Sequence, residues 1–226
     1  MAKLLEAFSN NTAVKSQYIR DFETHIEKDN LIRGSYSEKV NSHWNGCAIT
    51  CLLNSPDAKF NEITINHADF ETTAIQFPEW LGRLIDKLHE NVSSIEFSQQ
   101  FNLNLLDVIP VGFSNWEQIK WRFISAILQE NIERVSTLNI SDELKKQVIS
   151  TIEQCKIYAD SNDKTEEMRA AAARSAWSAE SAAWSAAESA AWSAAAESAA
   201  ESARSAAFDR YALLLIDLFK TELSKN

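Results

Sequence analysis

A chain of 226 residues can bury one or two packed cores, and its formal net charge of -10, with no basic cluster, disfavours a nucleic-acid partner. Only 4 Gly and 3 Pro argue against a turn-rich β fold and for long helices. Three Cys, at 47, 51 and 155, do not make a disulfide framework, and no apolar run reaches membrane-span length. The opening MAKLLEAFSNN has no extended apolar core, so a secretory signal is not expected and the reducing cytoplasm is the expected compartment.

In AVKSQYIRDFETHIEKD (13–29), Val14, Tyr18, Phe22 and Ile26 recur at every fourth position, which predicts a helix with one apolar stripe. Gly34 breaks that pattern. The apolar centre of HWNGCAITCLLNSPD is too short for periodicity to separate a buried helix from a strand, and Asn54, Ser55 and Pro56 close it. The β-branched Ile63, Thr64 and Ile65 predict at most a minor strand near 60–66. FPEWLGRLIDKLHENV reads as a helix, with Pro78 at its first position and Glu79 at the positive end of the dipole. Trp80, Leu81, Leu84, Ile85 and Leu88 form its apolar face.

LNLLDVIP is a short apolar segment ended by Pro110. Ser114, with Glu117 three residues on, fits a capping box for a helix whose inner face holds Ile119, Phe123 and Ile127, with Ile124 at its margin. Ser141 is predicted to cap the next helix, which turns Leu144, Val148, Ile152 and Cys155 inward. DSNDKTEE breaks the pattern, and Thr165 is placed to cap the last helical stretch of the chain.

From Glu166 to about Leu223 there is neither Pro nor Gly. One helix of roughly 55 residues, about 80 Å long, or two with an unmarked bend, is expected. More than half of residues 170–207 are Ala, the best helix former. Trp177, Trp184 and Trp192 interrupt this run at spacings of seven and eight. At about 100° per residue, Trp184 lies about 20° behind Trp177 and Trp192 about 60° ahead, so the three share one broad side. Strict heptads fail, so a regular coiled coil is not the expected packing. The side packs on the chain's own body, on a protein partner or on a second copy, and Glu180, Glu188 and Glu197 keep it soluble and orient it. FDRYALLLIDLFKTEL brings Phe208, Tyr211, Leu214, Leu215 and Leu218, which need a core.

Chemistry-bearing side chains concentrate around HWNGCAITC. His43, Cys47 and Cys51 stand at i, i+4 and i+8, and on one helix they would share a face suited to zinc, with His67 or Asp69 as the fourth ligand. Alternatively Cys47 is a nucleophile, with His43 or His67 as base and Asp69 or Glu71 orienting the imidazole. The third reading takes Cys47 and Cys51 as small buried apolar side chains. No Gly-rich phosphate loop or nucleophile elbow is present.

Three segments, HWNGCAITCLLN, FPEWLGRLIDKL and LLDVIPVGFSNWEQIKWRFISAIL, carry a resemblance. Trp44, Gly46, Cys47 and Ala48, then Pro78 to Leu84, then Ile109, Pro110, Val111 and Gly112, resemble a group of bacterial and phage proteins. That group has an Ala-rich carboxyl-terminal helix and no established activity. The resemblance implies a setting of phage and bacterial conflict and supplies no catalytic residues. The expected fold is mainly α, with a compact helical body over 1–160 and a long Ala-rich helix over 166–223. The expected function is non-enzymatic capture of a protein partner, which would be inhibited, sequestered or neutralised, without cofactor. A Cys47-centred hydrolase or transferase and a small zinc-binding protein are the alternatives.

Overall fold

The structure, a computed structural model, describes residues 4–28, 30–34, 37–40, 43–56, 66–137, 140–160 and 194–224. The side chains of 37–40, 43, 44, 155, 158–160, 194–200 and 223 are outside that description. The chain is mainly α. The described helices are α1 (Thr12–Glu27), α2 (Ala48–Leu53), α3 (Asp69–Thr72), α4 (Glu79–Asn91), α5 (Ile95–Val108), α6 (Trp116–Thr137), α7 (Asp142–Asp160) and α8 (Ala194–Leu223). One antiparallel hairpin, β1 (Ser37–Val40) with β2 (His43–Gly46), pairs Ser37 with Gly46 and Val40 with His43. Two compact units result: Met1–Trp116 with Ser202–Asn226, and Glu117–Glu201.

In the first unit, local chemistry sets the helix starts. Asn11 accepts from Ala13 N to cap α1, and Ser94 accepts from Phe97 N to cap α5. Pro78 stands immediately before α4, and the first amide of that helix, Glu79 N, donates to Glu71 Oε1 at 2.9 Å. α5 reaches much further back than the LNLLDVIP segment suggested. Its buried face is Ser98, Phe101, Asn102, Leu105 and Leu106, and the two polar members hide the helical period from a hydrophobicity reading.

The core of this unit is aromatic. Phe8 and Phe77 meet edge to face at 5.3 Å, Phe113 and Trp116 edge to face at 4.9 Å, and Phe77 and Trp116 in a tilted arrangement at 5.4 Å. Phe219, near the end of α8, completes the group at 5.4 Å from Phe113 and 6.2 Å from Trp116. The Trp116 indole N–H donates to Leu5 O at 2.9 Å. α8 buries Phe208, Tyr211, Ala212, Leu215, Ile216 and Phe219 at helical spacing, which answers the need for a core under FDRYALLLIDLFKTEL. Ser93 N donates to Asp209 Oδ1 at 2.9 Å and Arg204 to Asn91 Oδ1 at 3.3 Å, tying the same helix to the α4–α5 turn.

The N-terminal segment enters this core through a left-handed turn. Phe8, Ser9 and Asn10 have φ of 57°, 50° and 52°, a conformation that costs non-glycine residues free energy. It is held by Ala7 N to Phe113 O at 2.9 Å, Phe8 N to Ile75 O at 2.8 Å and Ser9 Oγ to Ala74 O at 3.0 Å. Gly112, at φ 77°, faces the turn so closely that a Cβ there would sit 2.6 Å from Asn10 Oδ1.

The second unit packs α6 and α7 through Trp121, Leu128, Val135, Val148 and Ile152, flanked by Ile124, Ile132, Ile140, Leu144 and Ile149. Ser141 caps α7 as expected, accepting from Leu144 N at 3.3 Å. α6 starts at Trp116, two residues past Ser114, and Glu117 accepts from the Trp121 indole at 3.0 Å. The expected strand near 60–66 and the helix from Glu166 to Ser193 fall almost entirely outside the described residues. No described helix is long and apolar enough to cross a membrane.

Gly82 sets how closely α3 lies on α4, because a Cβ there would come within 2.8 Å of the buried Phe70 ring. Gly82→Ala is expected to destabilise the chain by about 1–2 kcal/mol, overpacking outweighing the gain in helix propensity. Urea unfolding followed by circular dichroism measures this. A stabilised variant contradicts the packing.

Candidate functional site

The structure separates the residues that the zinc reading placed on one helix. His43 is in β2, Cys47 is the residue before α2, and Cys51 is inside α2. Gly46 ends the strand, so no single helical face runs from His43 to Cys51. The His43 side chain lies outside the described residues. Among the described residues no group of three or more His, Cys, Asp or Glu is placed to hold a metal ion.

Cys47 and Cys51 are each 1% exposed. Cys47 Sγ lies 3.7 Å from Thr50 Oγ1, and the Cys51 thiol donates to Gly46 O at 3.7 Å. Burial pushes the Cys47 thiol up, beyond what the Thr50 and Ile49 contacts at the start of α2 pull back, and the Asp86 charge raises it further. Burial pushes Cys51 up strongly, with Cys47 adding to it. Both are therefore thiols, not thiolates, at neutral pH.

His67 precedes α3, and its Nε2 lies 3.1 Å from Asp86 Oδ2 on α4. Sequence reasoning assigned the orienting acid to Asp69 or Glu71 and missed Asp86. Glu71 instead caps α4 through Glu79 N, and the Asp69 backbone carbonyl closes the α3 turn, accepting from Thr73 N at 2.9 Å. Asp86 sits at i+4 from Gly82 on a helix chosen for its apolar face, and nothing in its local sequence marks it as the partner of a histidine nineteen positions away. The structure thus brings His67 to Asp86 and gives Cys47 the field of that carboxylate, around a thiol that burial keeps protonated.

The partner-binding candidates fall differently. Trp177, Trp184, Trp192, Glu180 and Glu188 lie outside the described residues, and Glu197 is on α8 with its side chain outside them. Glu201, Ser202, Ala203 and Arg204 come next on the same helix and are exposed. No family model matches this chain, and neither does any curated protein or solved structure.

The burial of the two thiols has a direct chemical readout. In the native chain Cys47 and Cys51 are expected to alkylate with iodoacetamide at least about tenfold more slowly than in urea, as measured per site by peptide mass spectrometry. Rapid native labelling of Cys47 contradicts a protonated, enclosed thiol.

Proposed function

We propose that this chain is a non-enzymatic protein-binding module that captures its partner through the Trp177, Trp184 and Trp192 side of its Ala-rich helix. The observation that carries the reading is the spacing of Trp177, Trp184 and Trp192, seven and eight residues apart in a segment otherwise built of Ala, Ser and Glu, which on a helix would put the three indoles on one side. Aromatic anchors flanked by small residues let a partner approach the helix closely while each indole fills a gap. Glu180, Glu188 and Glu197 supply acidic groups that orient the encounter.

Two structural features support it. The carboxyl-terminal half of α8 is anchored in an aromatic core. The Cys47 thiol is held protonated by burial, which weighs against nucleophilic chemistry at that position. In the setting implied by the bacterial and phage resemblance, capture would inhibit, sequester or neutralise the bound protein. A partner chain of the same kind, giving a homo-oligomer, is the second form of the same surface.

The test is capture of proteins from bacterial lysate by the full chain, compared with Trp184→Ala. The variant is expected to keep its melting temperature and to lose the captured protein by on the order of tenfold or more in affinity. No protein retained above background by the unaltered chain contradicts the reading. So does a variant that melts much earlier yet captures normally, because Trp184 then belongs to the core.

A further inference from the structure

The hairpin is joined to α4 and α5 through a fully buried histidine that neither the sequence patterns nor the binding surface involves. His89, on α4, and Ser98, on α5, are both completely buried. His89 Nε2 lies 2.6 Å from Ile32 O, and Nδ1 lies 2.7 Å from Ser98 Oγ. A carbonyl oxygen only accepts, so Nε2 carries the ring proton and Nδ1 of the neutral ring accepts from the Ser98 hydroxyl. Asn102 Nδ2 donates to Ser98 O at 2.8 Å and approaches Ser98 Oγ at 3.4 Å. The network is therefore wired for one tautomer of an uncharged ring.

The segment that this ring holds is also attached to α1, where Asn30 N donates to His25 O at 3.0 Å, and it buries Asn30 and Leu31. Arg33 donates to Ser94 O, and Gly34 N donates to Glu90 Oε2 at 2.9 Å. The segment in turn carries the hairpin, through Ile32 N to Gly46 O at 3.0 Å and Gly46 N to Asn30 O at 2.7 Å. A proton added to Nδ1 turns an acceptor into a donor aimed at Ser98 Oγ, which Asn102 Nδ2 already approaches as a donor. The Ser98 hydroxyl must then redirect its own proton, and a positive charge is left in a space closed to water.

We propose that His89 is an acid-sensitive latch, whose protonation releases the Asn30–Gly34 segment and the β2 strand bonded to it from the α4–α5 corner. The charged groups acting on the ring are Glu90 and Asp86 on α4, which favour its protonation, and Arg33 on the held segment, which opposes it. α5 contributes the uncharged Ser98 and Asn102. Burial outweighs the carboxylates and lowers the ring below the ordinary 6.5. The closed state excludes the proton that the open state accepts, so closure is fully favoured above about pH 6.5 and weakens as pH falls below it.

Amide hydrogen exchange of the full chain at about pH 7.5 and about pH 5.5, with intrinsic rates divided out, tests the latch. Protection in peptides covering 30–34 and 44–47 is expected to fall by roughly tenfold at the lower pH, the limit for one proton taken up on opening. Protection in α1 and α7 stays unchanged. In His89→Gln the acid-induced loss disappears. The unaltered chain provides a second measurement that needs no variant: the His89 ring, followed by NMR, titrates below the ordinary 6.5, because the closed state holds it neutral. Protection independent of pH, a loss spread evenly over the chain, an equal acid-induced loss in His89→Gln, or a ring that titrates at or above the ordinary 6.5 each overturns the proposal.

Discussion

The first unit depends on the burial of one indole. Trp116 receives Phe77 and Phe113 on its flanks, Phe219 from α8, and gives its N–H to the carbonyl of Leu5. A buried Trp contributes a large apolar area and needs a partner for its single donor, and here that partner is the N-terminal segment. One side chain thereby joins a stretch near the start of the chain to a helix near its end. The left-handed turn at Phe8 to Asn10 is the conformational cost of bringing Leu5 and Phe8 to that core, offset by backbone bonds to Ile75 and Phe113 and by the Ser9 hydroxyl donating to Ala74 O. Burial of Trp116 also anchors the end of α8 through Phe219.

Much of this was legible in the residues, and the rest was hidden for identifiable reasons. The α1 stripe of Val14, Tyr18, Phe22 and Ile26, the Leu81, Ile85 and Leu88 face of α4 and the Ser141 cap of α7 all carry strong local signals; the structure buries Phe22 fully and the rest of the stripe in part, and places the face and the cap as expected. α5 was foreshortened because Ser98 and Asn102 sit on its buried face, where their hydrogen bonds satisfy each other and His89. The hairpin was missed because SEKV and HWNG offer little alternation, and what positions them is bonding to Asn30 and Ile32. Long-range partners such as Asp86 for His67 and Leu5 for Trp116 leave no mark in local sequence at all.

The clustering of His43, Cys47 and Cys51 in sequence illustrates how spacing alone misleads. The i, i+4, i+8 pattern presupposes a helix, whereas a strand and a helix meet at Cys47. Both thiols serve as small interior groups whose weak bonds go to Thr50 and Gly46. Polar chemistry in this unit is directed inward, to hold segments together.

The central claim is that Trp177, Trp184 and Trp192 meet a second protein and not the chain's own core. Acrylamide quenching of tryptophan fluorescence tests it most directly, comparing the unaltered chain with one in which these three are replaced by Phe. The difference between the two is the emission of the three indoles alone. The account predicts that this emission is red-shifted and readily quenched in the isolated chain, as for indoles in contact with water. Blue-shifted emission that acrylamide cannot reach, in a chain that sediments as a monomer, would place them in the protein's own interior and contradict it.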